Sequence, residues 1–594
     1  MKIEQRISTS VVDYLRNNFQ TDIQANQIQI QKTLENFDGD ITIVVFPLVK
    51  ITKTAPEELG HNLGDYLKNT FSEVVGCNIV KGFLNLSIDD SYYISFVQEV
   101  MNTKNFGFAE APSGQKIMLE YSSPNTNKPL HLGHVRNNLL GYSIAEILLA
   151  NGHNVIKTNL VNDRGIHICK TMLAWKKWGN NDSPEYVDQK GDHYVGKFYV
   201  LFEQNLKREM AELMATGLSE DEARAQSNLM QQAQELLRKW EDKDLETIQL
   251  WRKMNNWVYA GFEETYSRMG VSFDKIYHES DTYIKGKTLV EQGLSKGVFK
   301  RKENGSIWID LTNEGLDEKL LLRADGTSVY ITQDMGTAVW RHEEEKPDRM
   351  IYVVGNEQDY HFNVLKEVLK KMEYSWSDSI YHMSYGMVEL PEGKMKSREG
   401  TVVDADDLME EMVQTAKQIT KELGKSDGLD FNSAQKLYEI IGMGALKYFM
   451  LKVDPKKNMM FNPEESVDFN GNTAPFIQYT YARIQSVIRK ASEVNLNIGY
   501  RKVEFLNPEE KALIKVLYDY KDTVRLAGEL LSPAIIANYS YDLAKQYNTF
   551  YHNCPIIKED SEDRRMFRLS LSNEVAQVVK KSMRLLGVEM PNKM

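Results

Sequence analysis

The chain has 594 residues, of which 42% are hydrophobic and 26% charged, a composition that is ordinary for a water-soluble globular protein. This length predicts about three or four domains and excludes a small binding module. There are 72 lysine and arginine residues against 84 aspartate and glutamate residues, so the formal net charge is −12. Such a charge disfavours indiscriminate binding to nucleic acid, and any RNA site must be a local patch.

The cysteine content and the hydropathy pattern indicate where the protein works. Three cysteines are too few and too scattered for a disulfide framework or a four-ligand zinc site, and they fit a reducing compartment. No stretch of about 18 consecutive apolar residues is present, and the first residues lack the apolar core of a signal peptide. We expect a cytoplasmic protein with no membrane partner and no protein-bound structural metal.

The predicted elements change character along the chain. Residues 1–112 mix helical patterns with strand-like runs at 41–46 and 82–88 and end in a turn-rich linker, which predicts an α+β domain. In residues 113–405, strand-like runs at 116–121, 154–161 and 350–354 alternate with helical patterns, which indicates a parallel sheet. A ligand of such a sheet binds beyond the carboxyl ends of its strands.

The remaining segments are predicted to be helical. A charged, helix-favouring stretch at about 197–269 is interpreted as an insertion into the sheet domain. After Leu408 the helical period dominates to the end of the chain. We divide this part into a connector at 406–467 and an all-helical domain at 468–594.

The motif His131-Leu-Gly133-His134 follows the first of these strands and opens the helical run 135–150. Phosphates bind at helix N-termini, a glycine there lets a nucleotide lie against the backbone, and imidazoles can donate to charge that develops on an α-phosphate. ATP activation is the first hypothesis. A purely structural role for two histidines three residues apart is the alternative.

A lysine-rich segment, 393–401, lies further along the chain and is flanked by glycines. By itself it is typical of a solvated charged loop. Together with the histidine motif it resembles the paired ATP-binding motifs of class I aminoacyl-tRNA synthetases.

Three longer stretches, 120–136, 322–334 and 352–361, resemble the arginyl-tRNA synthetase family, and the resemblance covers nearly the whole chain. It implies an α/β fold of class I: a Rossmann-like parallel-sheet catalytic domain with a helical insertion, an N-terminal tRNA-contacting α+β domain and an all-α anticodon-binding domain. It also implies a monomeric ligase that activates L-arginine with ATP and Mg²⁺ and transfers it to tRNA(Arg). The family usually requires bound tRNA before it activates arginine.

The resemblance assigns roles around the histidine motif. Glu120 and Asn125 hold arginine, and His131 contacts both arginine and ATP. Gly133 and His134 bind ATP, and Lys128 approaches the triphosphate.

The lysine-rich segment supplies further ATP ligands by resemblance, namely Lys394, Met395, Lys396, Ser397 and Arg398. It departs from the family pattern Lys-Met-Ser-Lys-Ser, because a serine stands where the second lysine is usual. Lys128 and Lys394 are therefore equal candidates for the cation at the triphosphate, and Arg398 is another. With His131 and His134, these two lysines form the predicted catalytic set.

The arginine pocket is predicted from Asp334, Tyr330 and Gln358 by resemblance. A carboxylate can accept two hydrogen bonds from a planar guanidinium and so discriminate against the point charge of lysine. Without the resemblance, a pair on a helix surface is the preferred interpretation of Tyr330 and Asp334, which lie four residues apart.

Candidate tRNA contacts lie at both ends of the chain. Aromatic rings beside cations can stack on the splayed bases of an anticodon loop. The residues that the resemblance places in tRNA contacts are Phe83 and Asn85 near the N-terminus, and Phe476, Tyr479, Arg483, Tyr547 and Met594 near the C-terminus. Core packing is the alternative for most of these side chains, including Phe83. The helical insertion is either a plain amphipathic hairpin or another tRNA contact.

Three other functions are compatible with parts of the pattern. Another class I synthetase would share the histidine motif but lack Tyr330 and Asp334. An adenylyltransferase without tRNA would lack the aromatic and cationic helical domain. A catalytically silent tRNA-binding paralogue is disfavoured by the intact histidine motif.

Overall fold

The computed structural model describes residues 2–34, 36–389, 391, 403–425 and 427–594. The chain forms two compact units, each built from three stretches. The first contains residues 1–106, 487–519 and 546–575, and the second contains residues 107–486, 520–545 and 576–594. In the part of the chain that the structure describes, no helix combines the length and the apolar character needed to cross a bilayer. The domain boundaries expected at 112, 405 and 467 stay a prediction.

The strands are β1 (Ile30–Lys32), β2 (Ile41–Val44), β3 (Val74–Val80), β4 (Phe83–Ile88), β5 (Lys116–Glu120), β6 (Asn154–Val161), β7 (Lys275–His278), β8 (Lys300–Arg301), β9 (Ile307–Ile309), β10 (Lys319–Leu322), β11 (Arg349–Gly355), β12 (Ile380–Tyr385), β13 (Val388–Glu389) and β14 (Met459–Met460). The helices are α1 (Ile3–Phe19), α2 (Phe46–Thr52), α3 (Pro56–Thr70), α4 (Asp90–Asn102), α5 (Leu132–Ala150), α6 (Ile166–Trp178), α7 (Gly191–Met214), α8 (Glu220–Gln226), α9 (Asn228–Glu241), α10 (Leu245–Met269), α11 (Glu279–Ser295), α12 (Tyr330–Glu345), α13 (Asp359–Lys371), α14 (Ala405–Glu422), α15 (Phe431–Leu451), α16 (Pro463–Ser466), α17 (Ala474–Glu493), α18 (Pro508–Tyr518), α19 (Tyr520–Glu529), α20 (Pro533–Asn553) and α21 (Glu562–Leu585).

The first unit contains an antiparallel sheet in the order β1-β2-β4-β3. Helix α3 packs against it because Leu59, Leu63 and Leu67 recur every fourth residue and are fully buried. Gly64 permits this close approach, since a Cβ there would lie 2.7 Å from Sγ of Cys77. The strand predicted at 41–46 ends at Val44, because a proline in the first turn of α2 favours the start of a helix.

The second unit is organised around a parallel sheet in the order β12-β11-β5-β6-β7. The strands predicted at 116–121, 154–161 and 350–354 are therefore confirmed. From β5 the chain continues to β6 and β7 on one side, whereas β11 and β12 lie on the other. The order thus reverses between β5 and β11, and ligands of open α/β sheets bind at such a reversal.

The helical predictions are also met. Helices α7 to α10 occupy the stretch between β6 and β7 where the insertion was expected. After Leu408 the described secondary structure consists of helices joined by loops and one short strand, β14, which pairs with β13.

The last residues of the chain pack within the second unit. Ser143 Oγ on α5 donates to the carbonyl of Leu585 (2.8 Å), and Lys447 Nζ on α15 donates to that of Gly587 (2.7 Å). Burial lowers the pKa of Lys447 to about 8. The hydrogen bond to Gly587 thus links the buried side chain of Lys447 to the C-terminal stretch.

Candidate active site

The histidine turn follows β5 at the strand-order reversal, and its two imidazoles cap the helix that they precede. His131 is the N-cap of α5, and its Nδ1 accepts from the backbone N–H of Gly133 (3.1 Å). His134 Nδ1 accepts from the backbone N–H of His131 (3.2 Å). This reciprocal capping box satisfies N–H groups that a helix start leaves unpaired.

The capping bonds determine which nitrogen of each histidine faces outward. Because Nδ1 accepts a hydrogen bond in both rings, the proton of each neutral imidazole is on Nε2. Burial and the charge of Lys128 lower the pKa of His131 to about 4. Burial and the charges of His131 and Lys128 lower the pKa of His134 well below its usual value. Both rings are thus neutral near pH 7 and keep an Nε2–H donor for a ligand.

Gly133 and Lys128 also shape the environment of the two histidines. A Cβ at Gly133 would lie 3.0 Å from Cε1 of His131, so glycine keeps the ring in its capping position. Burial lowers the pKa of Lys128, whose charge acts on both histidines. Among the described residues, Lys128 forms no ion pair.

The predicted ATP ligands Lys394, Met395, Lys396, Ser397 and Arg398 lie outside the described residues. The described residues on either side of them are tied to the histidine helix. Arg136 Nη1 donates to the carbonyl of Met387 (3.1 Å), and the N–H of Leu132 donates to the carbonyl of Val403 (3.0 Å). His131 and Asp404 form an antiparallel bridge.

The residues that follow the lysine-rich segment take part in a cluster of charged side chains. His193 Nε2 lies 3.1 Å from Oδ2 of Asp404 and 3.3 Å from Oδ2 of Asp406. These two carboxylates raise the pKa of His193 to about 10. Asp192, His193 and Asp406 have the spacing of metal ligands, but Lys190 Nζ lies 2.5 Å from Asp406 and 3.2 Å from Asp192. The cluster therefore has an internal cation, and we assign no metal to it.

A cluster of acidic residues lies at the carboxyl ends of β5, β6 and β7, where Glu120, Asp163 and Glu279 are found. Burial, followed by the charges of Asp334 and Asp163, raises the pKa of Glu279 to about 8. Asp334 lies on α12, and its Oδ2 is 2.6 Å from Nε2 of His361. Carboxylates that oppose one another's ionisation form a site suited to a cationic ligand.

The other predicted arginine ligands occupy the same edge of the sheet or the start of α12. Asn125 is partly buried and bridges Asn162 after β6. Gln358 is exposed in the turn that follows β11. Tyr330 begins α12 one turn before Asp334 and is 70% exposed.

The candidate tRNA residues of the second unit lie mainly on α17. The ring of Phe476 lies 5.3 Å from that of Tyr541. Tyr479 is contacted by two cations, with Lys425 Nζ 3.3 Å and the Arg483 guanidinium carbon 5.0 Å from its ring centre. Met594 is partly buried at the chain end.

The candidate tRNA residues of the first unit differ in exposure. Phe83 is 37% exposed and forms an edge contact with Phe46. Its side chain is therefore not a buried core residue, which was the alternative to a tRNA contact. Asn85 is buried, and its side chain bonds Thr42 and Asn78. Tyr547 is fully buried. For Asn85 and Tyr547 the structure therefore favours the packing alternative over direct RNA contact, because neither side chain presents a surface to a base.

Comparison with known proteins agrees with this architecture. The model of the family described as class I (R) tRNA synthetases, catalytic domain, matches residues 96–462, and that of the DALR anticodon binding domain matches residues 477–594. The arginine–tRNA ligase of Bacteroides thetaiotaomicron is 56% identical over 598 aligned positions, with complete coverage of both chains. The chain belongs to the arginyl-tRNA synthetase family. The arginine–tRNA ligase of Bacteroides fragilis is likewise 56% identical with complete coverage.

The fold is also that of solved arginyl-tRNA synthetases. The enzyme from Thermus thermophilus superposes with a TM-score of 0.81, at 23% identity and with all of both chains covered. The expected fold class is thereby confirmed: a class I catalytic domain with a parallel sheet, joined to an anticodon-binding domain of the DALR type.

Sequence reasoning missed several charged residues around these sites, notably Glu279, Arg341 and His193. Glu279 follows the four-residue strand β7, which is too short to give a clear alternating pattern. Its position directly after a strand was the signal that could have identified it.

Proposed function

We propose that this chain carries out its family's reaction, that of an arginine–tRNA ligase. The carboxylate of L-arginine attacks the α-phosphorus of ATP, a carboxyl–phosphate bond forms, and diphosphate leaves. A ribose hydroxyl at the 3′ end of tRNA(Arg) then attacks the carbonyl carbon of the arginyl-adenylate, and AMP leaves. The observation that carries this proposal is the helix-capping pair of neutral imidazoles at the strand-order reversal, with a cluster of acidic residues at the same edge of the sheet.

In the first step we assign the binding of ATP to the histidine turn. The nucleophile is already ionised, so the enzyme must position it and stabilise charge rather than supply a strong base. Nε2–H of His131 and His134 donate to oxygens of the α-phosphate, and Lys128 faces the triphosphate. Lys394 and its neighbours are proposed ligands of the same triphosphate.

Arginine is assigned to the cluster of acidic residues at the carboxyl ends of the strands. Glu120, which ends β5 close to the histidine turn, and Asn125 hold the amino-acid substrate in this proposal. Asp334 accepts from the guanidinium, with Glu279 as a second carboxylate and Tyr330 and Gln358 at the rim. A forked guanidinium pairs with such carboxylates better than an ammonium does, which selects arginine over lysine.

Mg²⁺ accompanies ATP in this proposal. The turn itself offers imidazoles and an ammonium rather than the oxygen ligands that Mg²⁺ prefers, and the neighbouring carboxylate of Asp404 is already paired with His193. The phosphate oxygens therefore hold the ion.

We assign anticodon contacts to Phe476, Tyr479, Arg483 and Met594, and a contact with the tRNA body to Phe83. The exposed aromatic edge at Phe83 and the cations around Tyr479 support these assignments. The enzyme is proposed to act as a monomer in the cytoplasm, where its tRNA substrate is used, with the domain boundaries given above.

The decisive experiment offers radiolabelled amino acids one at a time with ATP, Mg²⁺ and total tRNA. We expect charged tRNA with arginine alone. Charging with another amino acid, or with none, would contradict the proposal.

A further inference from the structure

Two consecutive serines shortly after β5 adopt a left-handed backbone conformation. Ser122 has a φ of 82° and Ser123 a φ of 49°, values that L-residues rarely adopt because Cβ then lies too close to a carbonyl oxygen. Such a conformation costs free energy and persists only where the surrounding groups determine it. The turn lies between Glu120 and Asn125, the two residues on this stretch that the proposed function assigns to arginine.

Two asparagine side chains bind the backbone of this turn. Among the described residues, neither Ser122 nor Ser123 donates its N–H to a backbone carbonyl. Oδ1 of Asn137, on α5, accepts from the N–H of Ser122 (2.5 Å), and Oδ1 of Asn159, on β6, accepts from that of Ser123 (2.9 Å). An N–H without an acceptor is unfavourable inside a protein, so these two amides stabilise the left-handed form of the turn.

The opposite end of each amide is fixed as well. Nδ2 of Asn137 donates to the carbonyl of Val353 on β11 (2.7 Å), and Nδ2 of Asn159 donates to the hydroxyl of Tyr266 on α10 (3.3 Å). That hydroxyl also lies 2.6 Å from Oγ of Ser122. Asn159 is fully buried and Tyr266 is 4% exposed, so bulk solvent does not reach these contacts. We call Asn137, Asn159 and Tyr266 the turn brace.

The turn affects the groups on both sides of it. Ser123 Oγ donates to Oε1 of Glu120 (3.1 Å), whereas Oε2 of Glu120 accepts from Nη1 of Arg341 on α12, which is 1% exposed. On the other side, Asn125 follows directly from the turn and bridges Asn162. A change in the turn would therefore move the hydroxyl that orients Glu120 and the start of the segment that carries Asn125.

We propose that the three residues of the turn brace are positioning residues for arginine: they keep the left-handed turn in the conformation that directs Glu120 and Asn125 toward the substrate. The inference rests on the proposed function, in which Glu120 and Asn125 hold the amino-acid substrate. ATP is assigned to the histidine turn instead. Asn159 and Tyr266 lie outside the helix that carries the histidines, so their loss should affect arginine more than ATP.

The test measures KM for L-arginine and for ATP by ATP–diphosphate exchange, with the full-length protein at saturating tRNA. Tyr266→Phe removes the hydroxyl that contacts Ser122 and Asn159, and Asn159→Ala removes the acceptor of the Ser123 N–H. We expect the KM for arginine to rise about fivefold in Tyr266→Phe and about 20-fold or more in Asn159→Ala, because the second variant leaves a backbone N–H unpaired. The KM for ATP should change by less than about twofold in both.

A second substitution separates positioning from a general loss of stability. Glycine adopts a positive φ without strain and has no hydroxyl to be left unpaired. We therefore expect Tyr266→Phe combined with Ser122→Gly to return the KM for arginine to within about twofold of the wild-type value. If the Tyr266 hydroxyl only stabilised the packing of α10, a change at residue 122 would not restore the KM.

Tyr448→Phe is the matched control. Tyr448, on α15, is 1% exposed, and its hydroxyl donates to Oδ1 of Asn472 (2.5 Å) and to the carbonyl of Ala537 (2.9 Å). This variant loses a buried hydroxyl that has two partners, as Tyr266→Phe does. We expect a lower melting temperature and an unchanged KM for arginine.

The inference is overturned by an unchanged KM for arginine in Tyr266→Phe and Asn159→Ala, or by equal rises in the KM values for arginine and ATP. No recovery in the double variant, or an equal rise in Tyr448→Phe, also overturns it. If Asn159→Ala does not fold, Tyr266→Phe and its double variant decide alone. A wild-type enzyme that fails to charge tRNA with arginine contradicts the proposed function instead, so the two failures are distinguishable.

Discussion

Nε2 of His361, on α13, lies 2.6 Å from Oδ2 of Asp334, on α12. One oxygen of the carboxylate proposed to recognise the guanidinium is therefore oriented by a neighbouring helix. Among the described residues no hydrogen bond is made by the other oxygen, Oδ1, which can accept from a ligand.

Replacement of this carboxylate tests the pocket most directly. Asp334→Asn keeps the shape of the side chain but removes its charge, so we expect arginine activation to fall about 30-fold or more. The measurement is ATP–diphosphate exchange with arginine at saturating tRNA, and tRNA affinity should not change. His361→Asn is the control, because it alters the orientation of Asp334 but leaves its charge, and its effect should be smaller. Activation by Asp334→Asn at the wild-type rate would falsify the pocket assignment.

His134 can be changed without losing its cap. Glutamine at the third helical position can also accept from the N-cap backbone N–H, so His134→Gln should preserve α5 while removing the Nε2–H donor. We expect kcat for adenylate formation to fall by about 10² to 10³, since that donor acts on charge in the transition state. The KM for arginine should change far less. Single-turnover adenylate formation measures the effect. A variant with the wild-type rate would show that His134 does not act in this step.

The carboxyl of Glu279 predicts a pH dependence of arginine binding. Its pKa of about 8 means that it is mostly protonated at pH 7 in the ligand-free protein and ionises near pH 8. The ionised form attracts a guanidinium, so affinity for arginine should rise as pH increases from 6.5 to 8.5, by up to about tenfold per pH unit. Calorimetric titration of wild type and Glu279→Gln measures this, and the variant should show a flatter profile. Identical pH profiles for the two proteins would show that ionisation of Glu279 does not affect arginine binding.

The ion pairs of His193 predict a pH-dependent contribution to stability. Its pKa is raised from about 6.5 in an unfolded chain to about 10 in the folded protein by Asp404 and Asp406. The contribution is therefore complete below pH 6.5 and is lost as pH rises through 10. We expect His193→Gln to lower the free energy of unfolding by about 2 kcal/mol at pH 6 and by much less near pH 10.

His153→Gln is the control for this series. Burial and the charge of Arg349 lower the pKa of His153, so its charged form adds no stability at low pH. Melting temperatures of both variants across the pH range give the comparison. Equal destabilisation by His193→Gln at pH 6 and pH 10 would mean that its charge is not involved.

The parts of the site that depend on local sequence could be predicted. His131 and His134 lie at a helix N-terminus, as the strand and helix patterns on either side of them indicated. Glu120 ends its strand for the same reason. Capping and strand periodicity act over a few residues, and the sequence displays them directly.

The parts that depend on distant packing could not be predicted. Arg341 and Glu120 are 221 positions apart, and only the sheet and the helix crossing bring them together. The burial of Tyr547 likewise results from helix packing, whereas its aromatic ring and the family resemblance suggested an RNA contact. A single sequence shows which side chains can stack or form ion pairs, but it does not show which of them are buried by distant parts of the chain and cannot reach a ligand.

The assembly of the second unit from three separate stretches has a practical consequence for protein engineering. A recombinant fragment ending at residue 486 would omit 520–545 and 576–594, which belong to the same unit as the catalytic sheet. Such a truncation would remove the backbone carbonyls of Leu585 and Gly587, which accept hydrogen bonds from Ser143 and Lys447. It would also expose apolar surface of the second unit and leave the ammonium of Lys447 without this acceptor. The synthetase core therefore cannot be excised as a contiguous piece, and a minimal activating enzyme would need its C-terminal residues supplied by circular permutation or in trans.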